Sequence, residues 1–161
     1  MAFPFQPVVY VQISPELLSV KNVKTGAVIA EVPEMAISAP PQPVMLGVGA
    51  QARAAAAATP GARVVNPFAH PRTLVGDFTV AEQLIRAFIR KLDAKAWFAP
   101  SPRVVIHPLG APAGGYTQIE RRAVREMALG AGASEVIVYT GRKLTDQEVL
   151  NRQFPADGEW E

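Results

Sequence analysis

The chain opens with short runs in which apolar and β-branched residues dominate. "VVYVQI", "LLSVKNV" and "GAVIAEV" fall within the first 32 positions, separated by Ser14-Pro15 and by Lys24-Thr25-Gly26. Such runs with turn residues between them predict an antiparallel meander. Residues 35–48 add a short strand pair around the breaker "APPQP". "GAQARAAAAATPG" then predicts an alanine-rich helix ended by Thr59-Pro60-Gly61.

Further on the period changes. Val80, Leu84, Ile85, Phe88, Ile89 and Leu92 recur at helical spacing. Thr79 followed by Glu82 predicts a capping box at the start of that helix, and Arg86, Arg90 and Lys91 fall late, where the helix dipole favours cations. "RVVIHPL" predicts a buried strand. Thr117 and Glu120 form a second capping box, before an apolar arc of Ile119, Ala123, Val124, Met127 and Ala128 that Gly130 and Gly132 end. "SEVIVY" is the last predicted strand and "LTDQEVLNRQ" a short helix; residues 151–161 are expected to form a flexible tail. A strand meander, a helical excursion and a strand–helix–strand unit together predict an α/β fold with a mixed sheet.

Composition narrows the function classes. The chain has 161 residues, enough for one domain with a real core, and no cysteine, which excludes disulfides, thiolate metal sites and cysteine nucleophiles. A net charge of +2 gives no reason to expect a nucleic-acid partner. "MAFPFQP" lacks the basic start and apolar run of a signal peptide, and no run approaches a spanning helix, so a cytoplasmic protein is expected. His70 and His107 stand apart from any ligand cluster. The "GAPAGG" stretch before the second capping box lacks the lysine of a phosphate loop and reads as a plain loop, and Arg121, Arg122 and Arg125 read as a solvated basic strip.

"PSPRVVIHPLG…GGYTQIERRAVREMALGAGASEV", together with "ATPGARVVNPFAHPRTLVGDFTVAEQLIRAFIRK" before it, strongly resembles the MreB family of bacterial actins. The likeness runs from about residue 8 to residue 139. It implies a single actin-like (ribonuclease H-like) domain over residues 1–150, with a mixed five-stranded sheet, helices packed on it and a small subdomain inserted at about 34–76. The second domain of the family is expected to be absent.

The resemblance also locates a nucleotide site, and there this chain departs from it. Where the family carries a metal-ordering Asp and a Gly-Thr phosphate turn, the aligned residues are Gln12, Ser14, Pro15 and Glu16. Gln12 has no charge to hold Mg²⁺, Pro15 has no N–H, and Glu16 brings a negative charge where phosphate would sit. Gly141 stands where the family's catalytic Glu would be. The chain is therefore expected to be no enzyme and to take no cofactor or metal. The family's paired apolar membrane residues align with Trp97 and Phe98, to which Phe3 and Phe5 could add, and its antiparallel protofilament contact aligns with Ile119 and Val124. Around that contact Ala123 adds apolar surface, while Arg122 of one copy could meet Glu126 of the other.

The function expected is a non-enzymatic MreB-like scaffold in cell-shape determination, at the inner face of the cytoplasmic membrane. Its partners would be full-length MreB, other cell-shape proteins or a second copy. The alternatives are a module that caps or adapts such filaments, and one half of a split actin-superfamily ATPase.

Overall fold

The computed structural model describes residues 5–92 and 99–161. Its main sheet has the order β3-β2-β1-β7-β8-β9. Strands β1 (Val8–Ile13), β2 (Leu18–Asn22) and β3 (Val28–Glu31) form the antiparallel meander. β7 (Arg103–Pro108) lies parallel to β1, and β8 (Glu135–Thr140) parallel to β7. All six residues of β7 are buried, because apolar layers cover both faces.

Alternation along the strands divides two cores. Val9, Val11, Ile13, Val104, Ile106 and Val138 point to one face and pack with helices α2 (Phe78–Leu92) and α3 (Gln118–Gly130). Val8, Tyr10, Val105, Ile137 and Tyr139 point to the other, under the short helix α4 (Asp146–Asn151). Each fully buried aliphatic side chain on the first face is worth roughly 1.5–3 kcal/mol, so the helical layer carries most of the apolar stabilisation.

The α2 cap differs from expectation. Asp77, not Thr79, caps the helix: its carbonyl accepts from Ala81 N–H at 3.0 Å and its Oδ1 from Val80 N–H at 3.1 Å. Glu82 instead pairs with Arg86, whose guanidinium also donates to the last carbonyl of α3, that of Gly130. That contact places a cation on the negative end of the neighbouring helix. The capping box of α3 forms as expected, with Thr117 Oγ1 accepting from Glu120 N–H and Glu120 accepting from Thr117 N–H.

A second sheet, β5-β4-β6, is built from β4 (Met35–Ile37), β5 (Met45–Val48) and β6 (Arg63–Val65), with helix α1 (Ala52–Ala57) against it. Met35, Ile37, Val48 and Phe68 join the main core, so this small sheet is anchored to the large one. Glu34 is buried at its base and held by Arg53 at 2.8 and 2.9 Å. The guanidinium keeps that carboxyl below the usual carboxylate range.

The main sheet has six strands rather than five. The additional one, β9 (Glu159–Trp160), lies in the segment expected to be a flexible tail. It pairs antiparallel with Tyr139 and Thr140, and Val138 and Glu161 exchange N–H···O bonds of 3.0 and 3.1 Å. Two forces place it there. The outer edge of β8 would otherwise carry unpaired main-chain groups, and Trp160 continues an aromatic file with Phe154 and Tyr139, at centroid distances of 5.1 and 5.7 Å.

Candidate functional site

The carboxyl ends of β1, β7 and β8 lie side by side, which is where open α/β sheets bind ligands. Gln12 is half-buried near the end of β1, and its register partner on β7 is His107. The turn that follows is closed on itself. Ser14 N–H donates to Leu17 O at 2.9 Å, Leu17 N–H donates to Ser14 Oγ at 3.0 Å, and Pro15 has no N–H to offer. Pro15 O accepts from Asn66 Nδ2 at 2.8 Å, which pins the turn to the segment after β6, while Glu16 projects into solvent.

His107 is the hub of this end of the sheet. It is 1% exposed, with Nδ1 at 2.7 Å from Tyr10 Oη and Nε2 at 3.0 Å from Gly141 O. The Gly141 carbonyl can only accept, so Nε2 carries the ring proton; in the neutral ring Nδ1 then accepts from Tyr10 Oη, which itself accepts from Leu144 N–H at 3.2 Å. Burial pushes the His107 pKa below its ordinary value and raises that of Tyr10, so both groups stay uncharged near neutrality.

Gly141 shows why no longer side chain stands at the end of β8. Its φ is +146°, and a Cβ there would come within 2.6 Å of Tyr139 Oη and 3.2 Å of the Gly158 Cα. The turn beyond it is held by Arg142, bidentate to Glu148 at 2.5 and 3.0 Å. That guanidinium, with Thr145 N–H, lowers the Glu148 carboxyl to about 2. A cavity of about 330 Å³ opens between the loop after β7 and the C-terminal segment, lined among others by Gly110, Tyr116, Arg121, Gly141, Asp157 and Glu159. Arg121 is already paired with Glu159, which leaves Asp157 as the unpaired charge among the described lining residues.

No three His, Cys, Asp or Glu side chains gather to hold a metal among the described residues. His70 sits in an exposed loop, its Nδ1 accepting from Arg72 N–H at 3.2 Å. The basic strip of α3 is only partly solvated: Arg121 pairs with Glu159, and Arg125 donates to Val136 O at 3.0 Å and reaches Glu161 at 4.0 Å.

The residues assigned to self-association are not all on one surface. Ile119 is 82% exposed, Arg122 and Glu126 are exposed, and Ala123 is half-buried. Val124 is fully buried against the sheet and cannot contact a partner; the helix turns it inward beside Met127 and Ala128. Phe5 is 87% exposed. Trp97, Phe98 and Phe3 lie outside the described residues. The His107 hub escapes sequence reasoning because its partners are 97 and 34 positions away; its one signal was a histidine inside an otherwise apolar strand.

A family model described as "MreB/Mbl protein" matches residues 17–144. The cell shape-determining protein MreB of Escherichia coli K12 is 44% identical over 66 residues, which are 40% of this chain and 18% of that protein. The cell shape-determining protein Mbl of Bacillus cereus is 34% identical over 95 residues, 58% of this chain and 26% of that one. MreB5 of Spiroplasma citri, in a crystal structure described as bound to ADP, has the same fold with a TM-score of 0.63 at 19% identity, over 83% of this chain and 37% of that one. The similarity thus spans well under half the length of these relatives.

Proposed function

Because the chain belongs to the MreB/Mbl family, whose model spans residues 17–144, we propose that it serves bacterial cell-shape determination as an actin-like scaffold that neither binds nor hydrolyses ATP. The observation that carries this reading is the Gly141 backbone. The position that the family resemblance assigns to the catalytic carboxylate has φ +146° and lies against Tyr139, so a Glu cannot be accommodated there without moving the aromatic file. The β1–β2 turn supports the same conclusion: Ser14 and Leu17 commit their N–H groups within it, and Pro15 has none. The Spiroplasma relative is described as bound to ADP and to AMPPNP. Fewer main-chain donors remain at this turn for such a ligand, since Ser14 and Leu17 N–H are used within it and Pro15 has none, and charge-assisted contacts of that kind are worth roughly 1.5–3 kcal/mol each. Calorimetric titration with Mg·ATP is expected to show no binding heat; a micromolar dissociation constant overturns the proposal.

The scaffold works by contact with its own kind and with the inner face of the cytoplasmic membrane. Ile119 stands clear of the surface with Arg122 and Glu126 beside it, around a cavity of about 400 Å³. A two-fold contact there would cover Ile119 and set Arg122 of each copy against Glu126 of the other. Sedimentation at tens of micromolar should show a dimer that Ile119→Glu abolishes; an unchanged dimer rules out this face. For the membrane, the aligned pair Trp97 and Phe98 is the expected contact. Trp97→Ala/Phe98→Ala should reduce co-sedimentation with anionic liposomes, and equal pelleting of the two proteins removes it.

A further inference from the structure

At the β3 end of the molecule the β4–β5 hairpin stands beside α2, leaving a groove of about 340 Å³. Val44 and Met45, 55% and 51% exposed, form its apolar side, and Ala87, Arg86 and Arg90 form the other. No carboxylate lines it among the described residues. Arg86 is occupied by Glu82 and the Gly130 carbonyl, whereas Arg90 makes no ion pair among the described residues. β5 is also an edge strand of the small sheet.

The opposite end of the molecule carries the complementary chemistry. Trp160 is 58% exposed and stacks on Phe154, with Glu159 and Glu161 on either side of it in sequence. Glu161 reaches Arg125 at only 4.0 Å, and Asp157 makes no ion pair among the described residues. β9 is an edge strand as well.

We propose that the groove receives the Glu159, Trp160 and Glu161 segment of a second copy, with the indole against Val44 and Met45 and a carboxylate on Arg90. The pairing joins an exposed aromatic ring to a thioether and a guanidinium, both of which favour aromatic contact. It also offers Arg90, which has no ion pair among the described residues, to Glu161, whose contact with Arg125 is long at 4.0 Å. β3 and β9 are opposite edges of the six-stranded sheet, five strand spacings or about 24 Å apart. A chain therefore cannot fill its own groove. The contact is heterologous, leaving an open groove at one end and an open tail at the other; it differs in symmetry from the two-fold contact on α3, although Glu161 also lines the cavity beside Ile119.

The test is sedimentation velocity in an Ile119→Glu background, which removes the α3 contact and keeps the two proposals distinguishable. The weight-average sedimentation coefficient should rise with concentration from tens to hundreds of micromolar. Arg90→Glu and Met45→Asp each remove the groove, Trp160→Ala removes the tail, and each alone should sediment as a monomer. A mixture of Arg90→Glu, which retains its tail, with Trp160→Ala, which retains its groove, should give dimers and nothing larger. Circular dichroism melting of each variant separates loss of contact from loss of fold. A concentration-independent monomer in the Ile119→Glu background overturns the proposal. So does association that persists in folded Arg90→Glu and Met45→Asp, or a mixture that stays monomeric.

Discussion

The helical side of the sheet and the carboxyl ends of its strands belong to the same three strands, yet different physics holds them. On the helical side Val124, Met127 and Ala128 of α3 meet Leu84, Ile85 and Phe88 of α2 over Val104, Ile106 and Val138. That layer is apolar and close-packed, and many residue choices of the right size would satisfy it. At the strand ends, stability comes from a few directional contacts: Tyr10 to His107, His107 to Gly141, Leu144 to Tyr10, and a ring fitted over a glycine. Such a network has little tolerance, because its buried polar atoms have few partners and the Tyr139 hydroxyl has none among the described residues. The region that a family can keep by composition alone is therefore the helical side. The strand ends of this chain are organised around their own side chains and main-chain groups.

Restoring a carboxylate at the strand end gives the strongest test of that contrast. Gly141→Glu places a Cβ against Tyr139 in a backbone conformation that only glycine adopts freely, and it should destabilise by about 4 kcal/mol. Denaturant unfolding measures it. A variant as stable as the parent would mean that the turn yields easily, and the case against a catalytic Glu there would fail.

Met127→Ala tests the other side. Met127 is fully buried, and truncation should cost about 3 kcal/mol, since the surrounding layer relaxes only partly. If the helical side tolerates exchange, Met127→Leu should cost under about 1.5 kcal/mol. A loss for Met127→Leu equal to that for Gly141→Glu would erase the distinction between the regions.

The same contrast explains how much could be read from the sequence. α3 was legible because its signals are local: Thr117 and Glu120 lie three residues apart, and its apolar residues keep a 3.6 period. The period puts Val124 in the apolar arc; it was the family resemblance that assigned it to the protofilament contact, and the structure buries it. At α2 two capping residues stood close together, and local rules favoured Thr79 because Glu82 follows it by three. The structure uses Asp77, which adds Phe78 to the helix and frees Glu82 for Arg86. β9 was not legible at all. Two residues of Glu and Trp carry no alternation, and only the open edge of β8 and the ring of Phe154 give them a place. Changed residues in the β1–β2 turn and at Gly141 were visible, but the hydrogen-bond chain through His107 joins positions far apart in sequence.

A pH titration examines the hub without altering its shape. His107 has a pKa lowered in the folded protein, first by burial and also by the nearby Lys143, against a pull upward from the Gly141 carbonyl. The groups facing it are the neutral Tyr10 on β1 and Tyr139 on β8. The unfolded chain therefore binds the proton more readily. This contribution is complete above the unfolded value of about 6.5 and declines as pH falls through it towards the folded pKa, with a slope of at most about 1.4 kcal/mol per pH unit. His107→Gln should flatten the stability profile as pH falls below about 6.5, although it lowers stability at pH 7. An identical slope in the two proteins would place the titrating group elsewhere.

The smallest effect separates two caps of the same design. Thr117 and Thr145 each form a full capping box, at the start of α3 and of α4. Replacing either with Ala should cost about 1 kcal/mol. The consequences differ because the helices are anchored differently. α3 buries Val124, Met127 and Ala128 and is met at its far end by Arg86, so a lost cap frays only its first turn. α4 has six residues and one fully buried side chain, Val149, with Arg103 donating to the Val149 and Leu150 carbonyls at 3.3 and 2.9 Å. Its cap is a large share of what fixes it, and a helix this short does not persist by propensity. Thr145→Ala should therefore speed amide exchange at Val149 and Gln153, whereas Thr117→Ala leaves exchange at Met127 and Ala131 near the parent rate. Equal protection of the Val149 amide in Thr145→Ala and the parent would show that α4 is held by the strand-end network and not by its own cap.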